Sequence, residues 1–131
     1  MNRLIEIHDS ILGGIAIQGS TVEVHLAPAY VHVSDGRPGV DAGTGWTQQA
    51  VLRIRHARIE RSPTGFPVEL MDGHLDLGGI RHDNMIPIPL GVSGHVELQA
   101  DGPNGQVLRV SGDGVELEMI GSPTYVEEFS S

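Results

Sequence analysis

The sequence predicts an all-β fold: one antiparallel β-sandwich or flattened β-barrel with at most one short helix. Three observations carry this expectation. Apolar and polar residues alternate with period two in nearly every segment. The chain holds 18 Gly and 8 Pro in 131 residues, which suits many tight turns. A chain of this size buries roughly two-thirds of its unfolded surface, enough for one core and not for two.

The elements follow in chain order. In residues 2–8, Ile5 and Ile7 alternate against Glu6 and His8, with Leu4 out of phase. In 20–26, Val22, Val24 and Leu26 face one way and Thr21, Glu23 and His25 the other. Ala27-Pro28-Ala29 interrupts the run, marking an edge, a bulge or a break, and Tyr30 and His32 then alternate against Val31 and Val33. Residues 34–45 read as a loop by composition. Residues 46–61 are ambiguous: Trp46, Ala50, Ile54 and Ala57 lie at helical spacing, but a helix leaves Leu52 and Ile59 on the wrong side. A long strand with a bulge near His56 places Ala50, Leu52 and Ile54 inside, and Val51, Arg53 and Arg55 outside. Met71, Gly73, Leu75 and Leu77 oppose Asp72, His74 and Asp76, and Val96, Leu98 and Ala100 oppose His95, Glu97 and Gln99. Residues 101–105 form the turn of a hairpin answered by Val107–Val110. Gly112-Asp113-Gly114 reads as another turn, before Val115, Leu117 and Met119 alternate with Glu116 and Glu118. The expectation is a single domain over 1–131, with a flexible loop at 34–45 and a C-terminal tail at 125–131.

Composition excludes several function classes. The chain has no Cys, so disulfides, thiolate metal sites and Cys nucleophiles are absent. All eight basic residues are Arg, which removes Schiff-base and P-loop lysines. No run of about 20 apolar residues and no export signal is visible; a cytoplasmic protein without membrane contact is expected. The net charge of −9 lies wholly in residues 66–131, which repels phosphate backbones and argues against nucleic-acid binding. No Gly-x-Ser-x-Gly nucleophile motif or dinucleotide cradle occurs.

Candidate sites remain. Seven His is an unusual number for this length. Alternation puts Asp72, His74 and Asp76 on one strand face, where they could bind a divalent metal if other strands completed the shell; a solvated outer face has the same pattern. His25, His32 and His56 are an alternative set, on polar faces of successive strands. Neither His8-Asp9 nor His82-Asp83 is expected to be a dyad, because adjacent residues on a strand point to opposite faces. Trp46, at a loop–strand junction, is the best aromatic anchor, or else a core Trp covering one end. Arg53, Arg55, Arg58 and Arg61 either pair with the acidic strands 72–76 or 116–118, or grip an anion.

The run Ile7-His8-Asp9-Ser10, followed by an alternating, Gly-interrupted pair of strands, resembles small bacterial all-β domains of unknown function, some of which act as immunity proteins in toxin systems. The resemblance spans about thirty residues and transfers no functional residue. Taken together, these features favour a non-enzymatic binding module. Its partner is expected to be a cationic protein meeting the acidic face that includes Glu116 and Glu118, with dimerisation through an edge strand. The alternatives are a metal-dependent β-barrel enzyme and a small-ligand barrel closed by loop 34–45. No cofactor is identified beyond a divalent metal.

Overall fold

A computed structural model describes residues 1–130. Eleven strands succeed one another: β1 (Asn2–Glu6), β2 (Ile11–Gln18), β3 (Thr21–Ser34), β4 (Gly43–Ile54), β5 (Arg58–Arg61) and β6 (Val68–Glu69), then β7 (Asp72–Leu77), β8 (Ile80–Asp83), β9 (Met85–Ile88), β10 (Gly91–Asp101) and β11 (Val107–Phe129). They belong to one antiparallel sheet, curled into a half-barrel. The one helical element among the described residues is a 3-10 turn at Pro103–Gly105, inside the β10–β11 hairpin. Among the described residues no helix is long and apolar enough to cross a membrane.

The curl follows from two long strands that change partners. β3 pairs with β4 along its whole length, from Val22↔Ile54 to Ser34↔Gly43. Its other edge pairs first with β2 (Gln18↔Thr21 to Leu12↔Leu26) and then with β1 (Glu6↔Tyr30 to Asn2↔Ser34). The exchange occurs at Ala27-Pro28-Ala29, where the register against β4 slips. Pro28 offers no N–H to a ladder, and such slips bend and twist a strand. Gly13 permits the close approach at this point, because a Cβ there would lie 2.7 Å from the Ala27 Cβ. β11 behaves likewise: Val107–Glu116 pairs with β10, and Val115–Phe129 with β4.

The inward phase of these strands makes the core: Ile5, Ile7, Leu12, Val24, Leu52, Ile54, Leu75, Leu108, Val110 and Val115 are each at most 2% exposed. Each such aliphatic contributes roughly 1.5–3 kcal/mol by leaving water. The strand reading of 46–54 therefore holds, with Ala50, Leu52 and Ile54 buried. His56 turns the chain between β4 and β5 with a φ of 48°, and Ala57 and Ile59 return to pack against the core. Val51, expected outside, is also buried.

Three boundaries differ from expectation. The loop is shorter than 34–45, since Ser34 ends β3 and Gly43, Thr44 and Gly45 already pair with it. The expected tail is strand as far as Phe129, which pairs with Gly43; residue 131 lies outside the described residues. Gly112-Asp113-Gly114 is not a turn but the middle of β11. The glycines serve contact there: a Cβ on Gly112 would lie 2.5 Å from both the Arg55 carbonyl oxygen and Ile54 Cγ2. Arg55 also brackets this segment, donating its N–H to the Gly114 carbonyl (3.0 Å) and accepting the Asp113 N–H (2.8 Å).

Past Glu116, the outer edge of β11 has no partner strand among the described residues. Pro123, two register slips and Glu118, Glu127 and Glu128 interrupt that edge, the usual means of preventing edge-to-edge pairing.

Gly112→Ala is expected to lower stability by about 1–3 kcal/mol, the usual cost of overpacking, measured by urea unfolding. A free turn at 112–114 would tolerate alanine, and an unchanged midpoint would contradict the strand assignment.

Candidate functional site

The site grows out of the inward phase of the strands where the aliphatic core stops. On β4 the phase of Ile54, Leu52 and Ala50 continues to Gln48, Trp46 and Thr44; on β3 it continues through Val31 and Val33, and on β1 from Ile5 to Arg3. These positions, with Met1 and Pro123, line a pocket of about 350 Å³ at the open mouth of the half-barrel. Its walls are mainly Val31, Val33, Trp46 and Pro123. Trp46 is half-buried, packs on the core and meets the exposed Tyr125 ring edge-on, with centroids 5.3 Å apart.

The polar groups of the mouth are mostly engaged. Trp46 Nε1 donates to Thr44 Oγ1 at 2.8 Å. Gln48 Nε2 donates to the Gly121 carbonyl at 2.8 Å, which ties down the irregular stretch of β11 carrying Pro123. Arg3 makes no ion pair or side-chain hydrogen bond among the described residues. It is the one charged side chain among the lining residues of the pocket.

On the outer face two arginines of the row form ion pairs. Arg53 lies between two carboxylates, with Nε to Glu23 Oε2 at 2.8 Å and Nη1 to Glu118 Oε1 at 2.7 Å. Arg55 Nη1 reaches Glu116 Oε1 at 2.6 Å. The Arg53 hydrogen bond holds the Glu23 carboxyl below its usual value near 4.5, and Glu118 and then Glu23 raise the Arg53 guanidinium. Arg58 and Arg61 on β5 make no ion pair among the described residues.

The histidines separate. His25 Nε2 lies 3.5 Å from Glu23, and His56 is exposed in its turn. His32 is buried on the outer face, where Nε2 donates to Glu6 Oε2. Its ring stands 5.2 Å from Tyr30 and 4.9 Å from Phe129. The structure thus does not bring His25, His32 and His56 together. Tyr30 Oη donates to Glu127 at 3.0 Å, and burial, more than that carboxylate, raises its phenol well above the usual range. Gly45 makes room for this arrangement, because a Cβ would collide with the Tyr30 hydroxyl. His8 and Asp9, expected to diverge, touch at 2.9 Å. Asp9 has a φ of 76° and leaves the strand, so alternation does not apply to it. Ser10 is buried, donating to the Glu6 carbonyl and accepting the Tyr30 N–H.

Of Asp72, His74 and Asp76, the structure groups His74 and Asp76 with Glu97 of β10. Asp72 stands outside that group, its Oδ1 accepting the Gly73 N–H at 2.8 Å.

Sequence reasoning located Trp46 and missed Arg3, although the signal was present: an arginine in phase with Ile5 and Ile7 occupies an inward position. It placed Glu97 on the acidic surface but did not join it to His74 and Asp76, because that requires the β7–β10 register. No protein-family model matches the chain, and no curated protein or solved structure matches it either.

The Glu23–Arg53 pair has a pH signature. A carboxyl whose folded value is depressed contributes stability that is present above its unfolded value and lost as pH falls through the folded one. Below about pH 4.5, wild type is therefore expected to lose stability more steeply than Glu23→Gln. Thermal melts from about pH 6 to about pH 3 check this, and parallel curves would contradict it.

Proposed function

We propose that the protein is a non-catalytic binding module that holds a small amphipathic anion, an apolar body carrying a carboxylate or sulfonate, in the mouth of its half-barrel. The observation that carries this reading is a largely apolar pocket in which the Thr44 and Gln48 side chains are engaged and Arg3 is the charged side chain without an ion pair or side-chain hydrogen bond among the described residues. Apolar walls with one placed charge are the usual composition of a small-ligand site, and a volume of about 350 Å³ lies at the lower end of their range. Trp46 supplies a rigid aromatic surface in the wall, and Arg3 supplies a fork for paired oxygens. This is the small-ligand barrel of the sequence reading, with its mouth between β1, β3, β4 and β11 rather than under a closing loop. A cationic protein at Glu116 and Glu118 is the weaker reading, because Arg55 and Arg53 already engage both carboxylates.

Anilinonaphthalene sulfonate and its uncharged counterpart N-phenylnaphthylamine test the reading by fluorescence in the folded protein. Both dyes are expected to bind and to alter Trp46 emission. Trp46→Ala is expected to weaken both, and Arg3→Gln to weaken the sulfonate about tenfold, roughly 1.4 kcal/mol, while leaving the neutral dye in place. No binding of either dye, or equal loss of both in Arg3→Gln, would contradict the proposal.

A further inference from the structure

We infer that His74, Asp76 and Glu97 form a binding site for a divalent transition-metal ion, Zn²⁺ or Mn²⁺, on the outer face of β7 and β10, away from the barrel mouth. A ring nitrogen of His74 and one carboxylate oxygen each of Asp76 and Glu97 lie within 4.8 Å of one another. One imidazole and two carboxylates suit these ions and bring their charge to neutrality.

The decisive residue is His74. Its side chain is only 9% exposed, yet it makes no hydrogen bond among the described residues. Its Nε2 faces Glu97 Oε1 at 3.9 Å, too far for a hydrogen bond. Two donors each about 2.1 Å from a shared ion stand roughly 3–3.5 Å apart. The three groups thus sit slightly farther apart than ligands of one ion, and a contraction on the order of an ångström converts them into one shell. His74 keeps its ring nitrogens free of any hydrogen bond among the described residues, and an ion between the ring and the carboxylates would engage one of them.

The backbone sets this geometry. Alternation puts His74 and Asp76 on one face of β7, and the antiparallel register places Asp76 opposite Glu97 and His74 opposite Gln99. On the β8 side, Arg81 lies opposite Asp76 and Asp83 opposite His74. Arg81 Nε donates to Asp83 at 2.7 Å, so its closest carboxylate is Asp83, and Asp76 has no ion pair or hydrogen bond among the described residues. On the β11 side, Arg109 Nε approaches Glu97 Oε1 to 3.6 Å and is itself buried without a hydrogen bond. Arg109 lies beside the same Glu97 oxygen that faces His74, where it would hold the carboxylate in place as outer-shell partners of metal ligands do. Three protein ligands leave at least one position on the ion for water or another ligand.

The test uses the full chain, stripped with a chelator and titrated with zinc sulfate and with manganese chloride. Zinc is expected to bind at roughly one ion per chain and to raise the melting temperature by several degrees. Asp76→Asn and Glu97→Gln, which keep shape and remove charge, are expected to weaken zinc binding about tenfold or more. Asp72→Asn is expected to leave it unchanged. So is Glu6→Gln, which alters the second cluster of acids and histidine, Glu6, His8 and Asp9. Imidazole ¹⁵N spectra of wild type keep the inference falsifiable should a variant fail to fold: zinc is expected to move the His74 resonances. Absence of binding of either metal at about 100 μM (a dissociation constant weaker than roughly 10⁻⁴ M), full retention in Asp76→Asn and Glu97→Gln, loss in Glu6→Gln, or a shift confined to His8 would each overturn it.

Discussion

The architecture depends on one constraint: β3 keeps β4 along its whole length while its other edge is shared between β2 and β1. Fourteen residues of strand cannot stay flat through such an exchange, because the slip at Ala27-Pro28-Ala29 adds local twist to the sheet's own right-handed twist. The sheet curls there. On the β2 side of the bend the concave face is filled by Leu12, Val22, Val24 and Leu26; on the β1 side it opens at Val31, Val33 and Trp46. The mouth is what remains when the aliphatic filling ends before the strands do.

The same segment of β3 serves both faces. Val31 and Val33 line the concave mouth, while Tyr30 and His32, in the other phase, build the cluster with Glu6, Glu127 and Phe129. Glycines at the crowded crossings allow this, Gly45 beneath Tyr30 and Gly112 beneath Arg55. Charge follows the same division. The inward phase carries Arg3 as its exception near the mouth, and the outer face holds the Arg53–Glu23–Glu118 and Arg55–Glu116 pairs. The acidic excess of the second half is thereby partly neutralised by arginines of the first, across strands that are neighbours in space and distant in sequence. Exposed pairs of this kind each contribute little to stability. They fix which carboxylates are occupied and which, such as Asp76, are left without a partner.

Much of the fold was legible because period two is a property of single strands. Ile5 and Ile7, Val22 to Leu26, Ala50 to Ile54 and Val96 to Ala100 declare their buried phase without reference to any neighbour. What was illegible required knowledge of pairing. Gly112-Asp113-Gly114 has the composition of a turn, and only the passage of Arg55 alongside shows why its glycines are there. Tyr125–Phe129 follows Gly121 and Pro123, a sequence that reads as the end of order, yet its partner strand, β4 from Gly43 to Trp46, keeps it in the sheet. The candidate sites divide in the same way. Trp46 and the His74–Asp76 row stood out from local pattern; Glu97 needed register, Glu6 beside His32 needed the β1–β3 pairing, and His8 touching Asp9 needed the left-handed turn at Asp9.

Amide hydrogen exchange on the β11 segment 124–129 tests most directly whether this second half of the curled sheet is formed, and with it the wall of the mouth. If it is, alternate amides of 124–129, those directed at β4, exchange slowly and together with their partners at Gly43–Thr47, while the alternating amides at the open edge exchange fast. Uniformly fast exchange across 124–129, as in a frayed terminus, would contradict it and would remove one wall of the proposed binding site.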